Sequence, residues 1–267
     1  MTKWAKAPVG APCWADLWTS DVEGSRRFYS RLFGWEAQEP DPGYGGYFMF
    51  TRQGAPIAGG MGSMGDMQAN DTWKPFFCTH DIGTALEKAE SAGGSIVAGA
   101  MPIDRLGSQA VVVDPTGATF GLWQPGQFHG FSATGEDGAP SWFELHTADH
   151  PVAVTFYREV LGAEFSAVGD TDQFRYWTFR SPGTGEDVGG IMDSGSWVAV
   201  GAAAWSVYWE VDDIEATAAL VAELGGTVRR PPETTPYGKL AVMADPAGAE
   251  FRLRTSPGGR HQAPTGQ

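Results

Sequence analysis

Cationic side chains are scarce in this sequence: 18 Lys and Arg stand against 32 Asp and Glu in 267 residues, a formal net charge of −14. A surface of that sign repels phosphate backbones and anionic lipid faces, so neither nucleic acid nor a membrane is expected as partner. Cysteine is almost missing, and Cys13 and Cys78 are too few for a disulfide framework or a Cys-rich zinc site. No apolar run reaches the roughly 18 residues of a membrane span, and the opening MTKWAKAPVGAP lacks the apolar stretch of a secretory signal. The expected location is cytoplasmic. The nucleophile elbow, the Walker loop and the dinucleotide fingerprint are absent as well, so no flavin, nicotinamide or nucleotide cofactor is expected.

Aromatic and turn-forming residues are abundant, with Trp 11, Phe 15, Gly 37 and Pro 18. The Gly and Pro residues are scattered between apolar runs, which is the punctuation of many short strands and tight turns. The chain is also written twice. PCWADLWTSDVEGSRRFYSRLFGWE (12–36) matches PSWFELHTADHPVAVTFYREVLGAEF (140–165), and FFCTHDIGTALEKAESAGGSIV (76–97) matches VYWEVDDIEATAALVAELGGTVR (207–229). DPTGATFGLW (114–123) returns as DPAGAEFRLR (245–254). A duplication of this kind implies two domains, expected at 8–127 and 140–256, with a linker over 128–139 and a flexible tail over 257–267.

Each copy has two beats of strand, helix and strands. Ser20 with Glu23 reads as a capping box before a helix that turns Val22, Phe28, Tyr29, Leu32 and Phe33 to the core and stops at Gly34. Its counterpart starts at Asp149 with Pro151 in the first turn and stops at Gly162. Asp81 caps the second-beat helix through Ala92, and Asp212 with Glu215 makes the box in the later copy.

The motifs Asp21…Phe28-Tyr29…Phe33-Gly34 and Asp114-Pro115…Gly117, with Asp149…Phe156-Tyr157…Leu161-Gly162 and Asp245-Pro246…Gly248, resemble the vicinal oxygen chelate superfamily. That group includes glyoxalases, bleomycin-resistance proteins and extradiol dioxygenases, and the closer resemblance is to two-domain glyoxalase-like proteins often labelled hydroxylases. The resemblance implies an α+β fold: two tandem glyoxalase-like domains, each of paired βαβββ modules, with cupped mixed sheets and helices outside. It also implies metal ligands at set points of each cup. Counted onto this sequence, those points hold Trp14, Lys74 and Gly121 in the first copy and Trp142, Ser206 and Arg252 in the second. An indole, an ammonium and a guanidinium do not bind a metal cation, so no metal is expected.

Strand parity turns the partners of those positions toward the same cups. Asp16 and Glu144, beside tryptophans, are the candidate general acid–base groups, with raised pKa values expected from their surroundings. Trp14, Trp18, Phe76 and Trp123 line the first cup as candidate ligand contacts. Trp142, His146, Tyr208, Glu210 and Arg252 do so in the second. Ion pairs of Asp16 with Lys74 and of Glu144 with Arg252 are the structural alternative, and Glu144, His146 and Glu210 are the residues of an improvised metal site. Parity points Cys13 away from the cup and Cys78 into it, while His80 and His150 read as surface residues at helix starts.

Three functions stay open. The first is metal-independent binding of an aromatic or antibiotic-like metabolite, the second a lyase, isomerase or tailoring enzyme using a cup carboxylate, and the third a structural module with filled cups. The expected partner is a small molecule, and a homodimer is left open.

Overall fold

The computed structural model describes residues 6–182 and 185–256; the expected tail at 257–267 lies outside them. The first copy runs β1 (Pro12–Trp18), α1 (Val22–Phe33), β2 (Glu36–Ala37), β3 (Phe48–Arg52), β4 (Ala55–Met61), then β5 (Thr72–Cys78), α2 (Ile82–Ser91), β6 (Ser95–Ile103), β7 (Gly107–Val113) and β8 (Thr119–Pro125). The second runs β9 (Pro140–Thr147), α3 (His150–Leu161), β10 (Glu164–Asp170), β11 (Arg175–Arg180), β12 (Gly189–Asp193), then β13 (Ala204–Glu210), α4 (Ile214–Glu223), β14 (Thr227–Thr235), β15 (Gly238–Ala244) and β16 (Glu250–Thr255). Each copy closes into one eight-stranded sheet, in the orders β2-β3-β4-β1-β5-β8-β7-β6 and β10-β11-β12-β9-β13-β16-β15-β14. Parallel β1/β4 and β5/β8 pairs flank the antiparallel β1/β5 junction, and the second sheet repeats this. The fold is α+β, as two tandem βαβββ pairs require.

Helix starts follow short-range capping chemistry with two shifts from the sequence expectation. The N-cap of α1 is Asp21, whose carboxylate accepts from Gly24 N, and Ser20 is instead bound to Asp71. Asp213, not Asp212, caps α4. An Asp carboxylate one residue nearer the helix reaches the free N–H groups in both cases. Gly34 and Gly162 close their helices in the left-handed conformation, as expected.

The helices lie outside the cups, and the two sheets touch through β5 and β13, so α1 and α3 turn their buried faces toward the other copy while their other faces stay exposed. Phe28, Tyr29 and Phe33 of α1 pack on Phe251 of the other copy, and Phe33, Trp35 and Trp73 pack on Trp209. Tyr157 of α3 meets Phe77 and Phe120 of the first copy in the same manner, and Trp205 of its own.

Two matching relays tie the copies together. Trp73 Nε1 donates to Tyr29 Oη (2.9 Å), which donates to Asp245 Oδ2 (3.1 Å). Trp205 Nε1 donates to Tyr157 Oη (2.8 Å), which donates to Asp114 Oδ2 (2.8 Å). The other oxygen of each aspartate accepts backbone N–H groups of its own turn. The repeated Asp-Pro-x-Gly phrase therefore closes one copy's hairpin and receives the helix of the other. The Tyr hydroxyl and the second Asp oxygen are buried polar groups that satisfy each other across the seam.

Candidate functional site

Cup contents follow from strand parity. Ala15, Leu17, Phe143 and Leu145 enter the shared core, leaving Trp14, Asp16 and Trp18 on β1, and Trp142, Glu144 and His146 on β9, for the cups.

In the N-terminal cup, Asp16 Oδ1 accepts from Trp14 Nε1 (2.9 Å) and from Tyr47 Oη (2.8 Å), while its Oδ2 accepts no hydrogen bond among the described residues. Trp14 Nε1 also lies 2.9 Å from Tyr47 Oη, closing a triangle. Space for it is made on β4: a Cβ on Gly59, directly opposite Asp16, would fall 1.8 Å from Tyr47 Oη and 2.4 Å from Asp16 Oδ1. Burial raises Asp16 from 3.8 to about 6, against the opposing pull of Tyr47, Lys74 and Trp14. Lys74 is the cross-strand partner of Asp16, but no ion pair forms; its ammonium sits 5.2 Å above the Trp18 ring. Burial lowers the Lys74 pKa.

The far end of this cup is filled. Trp14, Phe76, Cys78 and Trp123 form one buried cluster, and Phe128 and Phe131 from the segment between the domains pack on Trp14 (4.8 and 5.5 Å between ring centroids). Trp123 Nε1 donates to Phe128 O (3.0 Å). Cys13 belongs to this cluster, contrary to its parity, because a bulge between Pro12 and Trp14 breaks the alternation. Burial and the neighbouring Cys78 thiol push the Cys13 thiol well up.

The C-terminal cup repeats one side of the triangle, with different electrostatics. Trp142 Nε1 donates to Tyr176 Oη (2.9 Å), and a Cβ on Gly190, opposite Glu144, would fall 2.2 Å from that hydroxyl. Here the carboxylate is enclosed. Tyr208 Oη donates to Glu144 Oε1 (2.7 Å), His146 Nε2 lies 3.0 Å from the same oxygen, and Arg252 Nη1 lies 3.9 Å away. Burial would raise Glu144, but His146, Arg252 and Tyr208 outweigh it and bring the carboxyl from 4.5 down to about 2. The expectation of a raised value thus holds for Asp16 and fails for Glu144, which the surrounding His146, Arg252 and Tyr208 keep ionised. Burial lowers His146, and its Nδ1 meets Ser194 Oγ at 3.1 Å under the half-exposed Trp197 ring.

Glu210 does not join this group: its Oε1 accepts from Ser256 N (2.7 Å). Three-residue convergence of Glu144, His146 and Glu210 is therefore not formed, and no group of three or more His, Cys, Asp and Glu among the described residues is placed to hold a metal ion. His150 is buried against Trp177, not a surface residue, because β12 packs on α3. The sequence reading passed over Tyr47 and Tyr176. Their signal was the alignment of YFMFTR (47–52) with YWTFRS (176–181), each ahead of a Gly-Gly pair in the next strand.

Comparison with known proteins gives this duplicated, cupped architecture a family. Residues 140–253 match the model of the Glyoxalase/Bleomycin resistance protein/Dioxygenase superfamily. Anthracycline biosynthesis protein DauV of Streptomyces sp. (strain C5) is 36% identical over 95% of this chain and 94% of its own length. The chain belongs to this superfamily. Putative glyoxylase CFP32 of Mycobacterium bovis is 34% identical, covering 95% of this chain and 97% of the relative. Among solved structures, the Mn(II)-bound glyoxalase from Novosphingobium aromaticivorans superposes with a TM-score of 0.63 at 17% identity, covering 93% of this chain and 82% of that one. The 2,3-dioxygenase LapB from Pseudomonas sp. KL28 gives 0.62 at 16% identity, over 98% and 97%. These two share the fold.

A metal ion of the kind held by the first of these structures does not fit the donors found here. Trp14, Lys74 and Gly121 face one cup, and a Cβ at Gly121 would fall 2.1 Å from the Phe76 ring, which fills that place. Trp142, Ser206 and Arg252 face the other. Apart from the Ser206 hydroxyl, neither set offers the oxygen or imidazole donors a divalent ion needs. Among the described residues, no helix is long and apolar enough to cross a membrane.

Proposed function

We propose that this superfamily member binds a planar aromatic metabolite in its N-terminal cup through protein donors and without a metal ion. The observation that carries this reading is the Trp14–Asp16–Tyr47 triangle at the base of the cup, with Asp16 Oδ2 unbonded. Trp18 and the Lys74 ammonium above it supply a wall for an aromatic face, and the carboxyl supplies an acceptor for a phenolic hydroxyl. The similarity to proteins of anthracycline biosynthesis in two Streptomyces points to the same chemistry, a polyhydroxylated fused ring system. The test is quenching of tryptophan fluorescence by 1,4-dihydroxyanthraquinone. Saturable quenching that weakens about tenfold in Trp18→Ala supports the reading; equal quenching in both proteins contradicts it.

A second reading is favoured by the carboxyl itself. A group titrating at about 6 changes ionisation close to neutrality and suits proton transfer. Asp16 Oδ2 would take a proton from an acidic C–H or O–H of the bound molecule. This predicts deuterium uptake into an enolisable aromatic ketone in D2O, rising as pH passes about 6 and lost in Asp16→Asn while binding persists. Uptake unchanged in the variant excludes Asp16 as the base.

A further inference from the structure

The C-terminal cup contains a cation that its neighbours leave largely unused. Arg252 is nine-tenths buried, yet it donates one aligned hydrogen bond, Nη1 to Tyr208 Oη at 3.2 Å. Its contacts to Glu144 and Glu250 are 3.9 Å each, well beyond the 2.7–2.9 Å of a charge-assisted hydrogen bond, and its Nε has no partner. A guanidinium carries five N–H donors in a fixed fork, and leaving them dry in a protein interior is costly.

The register explains what the fork faces. Arg230 on β14 is the cross-strand partner of Val242 on β15, Val242 of Arg252 on β16, and Arg252 of Tyr208 on β13. These four residues form one row on the cup face. A cavity of about 80 Å³ opens along the row, lined by all four together with Leu240 and Glu233, among others. Two guanidinium groups and one carboxylate therefore border it, and neither Arg230 nor Glu233 forms an ion pair within 4 Å among the described residues. The remaining carboxylates on this face are engaged or distant: Glu144 with Tyr208 and His146, Glu210 with Ser256 N, and the half-exposed Glu250 at 3.9 Å. Tyr208, Val242 and Leu240 give the cavity an apolar side.

We propose that this cavity is an aryl-carboxylate site, in which Arg252 and Arg230 grip the carboxylate oxygens and Tyr208, Val242 and Leu240 take the ring. The proposal extends the metal-free reading of the cups to the second domain. At a point where the family resemblance implies a ligand for a metal cation, this chain places a cation of its own. A planar carboxylate is the anion whose geometry a guanidinium fork matches in bidentate fashion.

The experiment titrates benzoate and its uncharged isostere benzamide into the full chain, following the Arg252 Nε–H resonance in ¹⁵N-labelled protein and the binding heat. Benzoate should shift that resonance and bind at least about tenfold more tightly than benzamide. Arg230→Gln, an exposed change that leaves the buried Glu144 network whole, should weaken benzoate about three- to tenfold. Arg229→Gln, the same change of charge one residue away but outside the cavity lining, should leave it unaltered. Equal affinities for benzoate and benzamide, no binding at millimolar concentrations, or equal losses in the two arginine variants would each overturn the proposal. Because 1,4-dihydroxyanthraquinone reports on Trp18 in the other cup, failure here is distinguishable from failure of the first domain's reading.

Discussion

Asp16→Asn deletes one charge and keeps an acceptor oxygen for both Trp14 Nε1 and Tyr47 Oη, so it isolates the cost of holding a carboxylate in the N-terminal cup. Burial raises this carboxyl from 3.8 to about 6 in the folded chain. A carboxyl raised on folding binds its proton more tightly in the native state. Its contribution to stability is complete below 3.8 and is lost as pH rises through about 6. A gap of about two pKa units corresponds to about 3 kcal/mol. The variant should therefore gain on the parent by up to about 3 kcal/mol between about pH 3.5 and pH 7.5, with the change concentrated below pH 6.5. Paired urea denaturation of both proteins across this range gives the quantity directly, since the other titrating groups are common to both. A difference between the two proteins that does not change with pH would refute the burial argument for Asp16 and, with it, the base proposed for proton transfer.

Glu144 carries the opposite sign. Its carboxyl is held at about 2 against 4.5, so it stabilises the fold above 4.5 and that contribution disappears as pH falls through about 2. Glu144→Gln should cost about 3 kcal/mol at neutral pH, narrowing in acid, as read by circular dichroism during denaturation; a cost that stays constant with pH would refute it. Tyr29→Phe and Tyr157→Phe each strand a buried Trp N–H and an Asp oxygen at the seam, and each should lower stability by about 1–3 kcal/mol in calorimetry. Matching losses are expected because the two relays match; a neutral effect in either would show that water or a neighbour replaces the hydroxyl. Phe128→Ala removes the ring packed on Trp14 and Trp123 and should enlarge the N-terminal cup. Tighter or faster anthraquinone quenching would follow, and reduced affinity would show that this ring belongs to the binding wall.

Much of the architecture was legible because it depends on periodic and local signals. The duplication set the topology, Gly34 and Gly162 marked helix ends, and parity divided core from cup at Ala15 and Leu17 against Trp14 and Asp16. Parity failed at Cys13, where a bulge in the ladder leaves no mark in composition. Adjacent acceptors such as Ser20 and Asp21 are both able to cap, and only the approach of the chain selects between them. The relative placement of the copies lay beyond local reasoning, since the Tyr29–Asp245 and Tyr157–Asp114 contacts link residues far apart in sequence. The same holds for the two carboxylates. Asp16 and Glu144 occupy equivalent positions, yet Tyr208, His146 and Arg252 surround one of them, whereas Phe76, Trp18 and Gly121 stand at the corresponding places around the other. Only the joint placement of these side chains fixes which carboxyl is ionised at low pH and which near neutrality.

The central claim is that the cups hold their ligand with protein donors instead of a metal ion. Its most direct test is calorimetric titration of 1,4-dihydroxyanthraquinone into protein dialysed against EDTA and analysed for residual metal, repeated after adding Mn(II), Fe(II) or Zn(II). The account predicts one saturable site in the metal-free protein and an unchanged affinity when the ions return. Binding that appears only after a divalent ion is restored would contradict it.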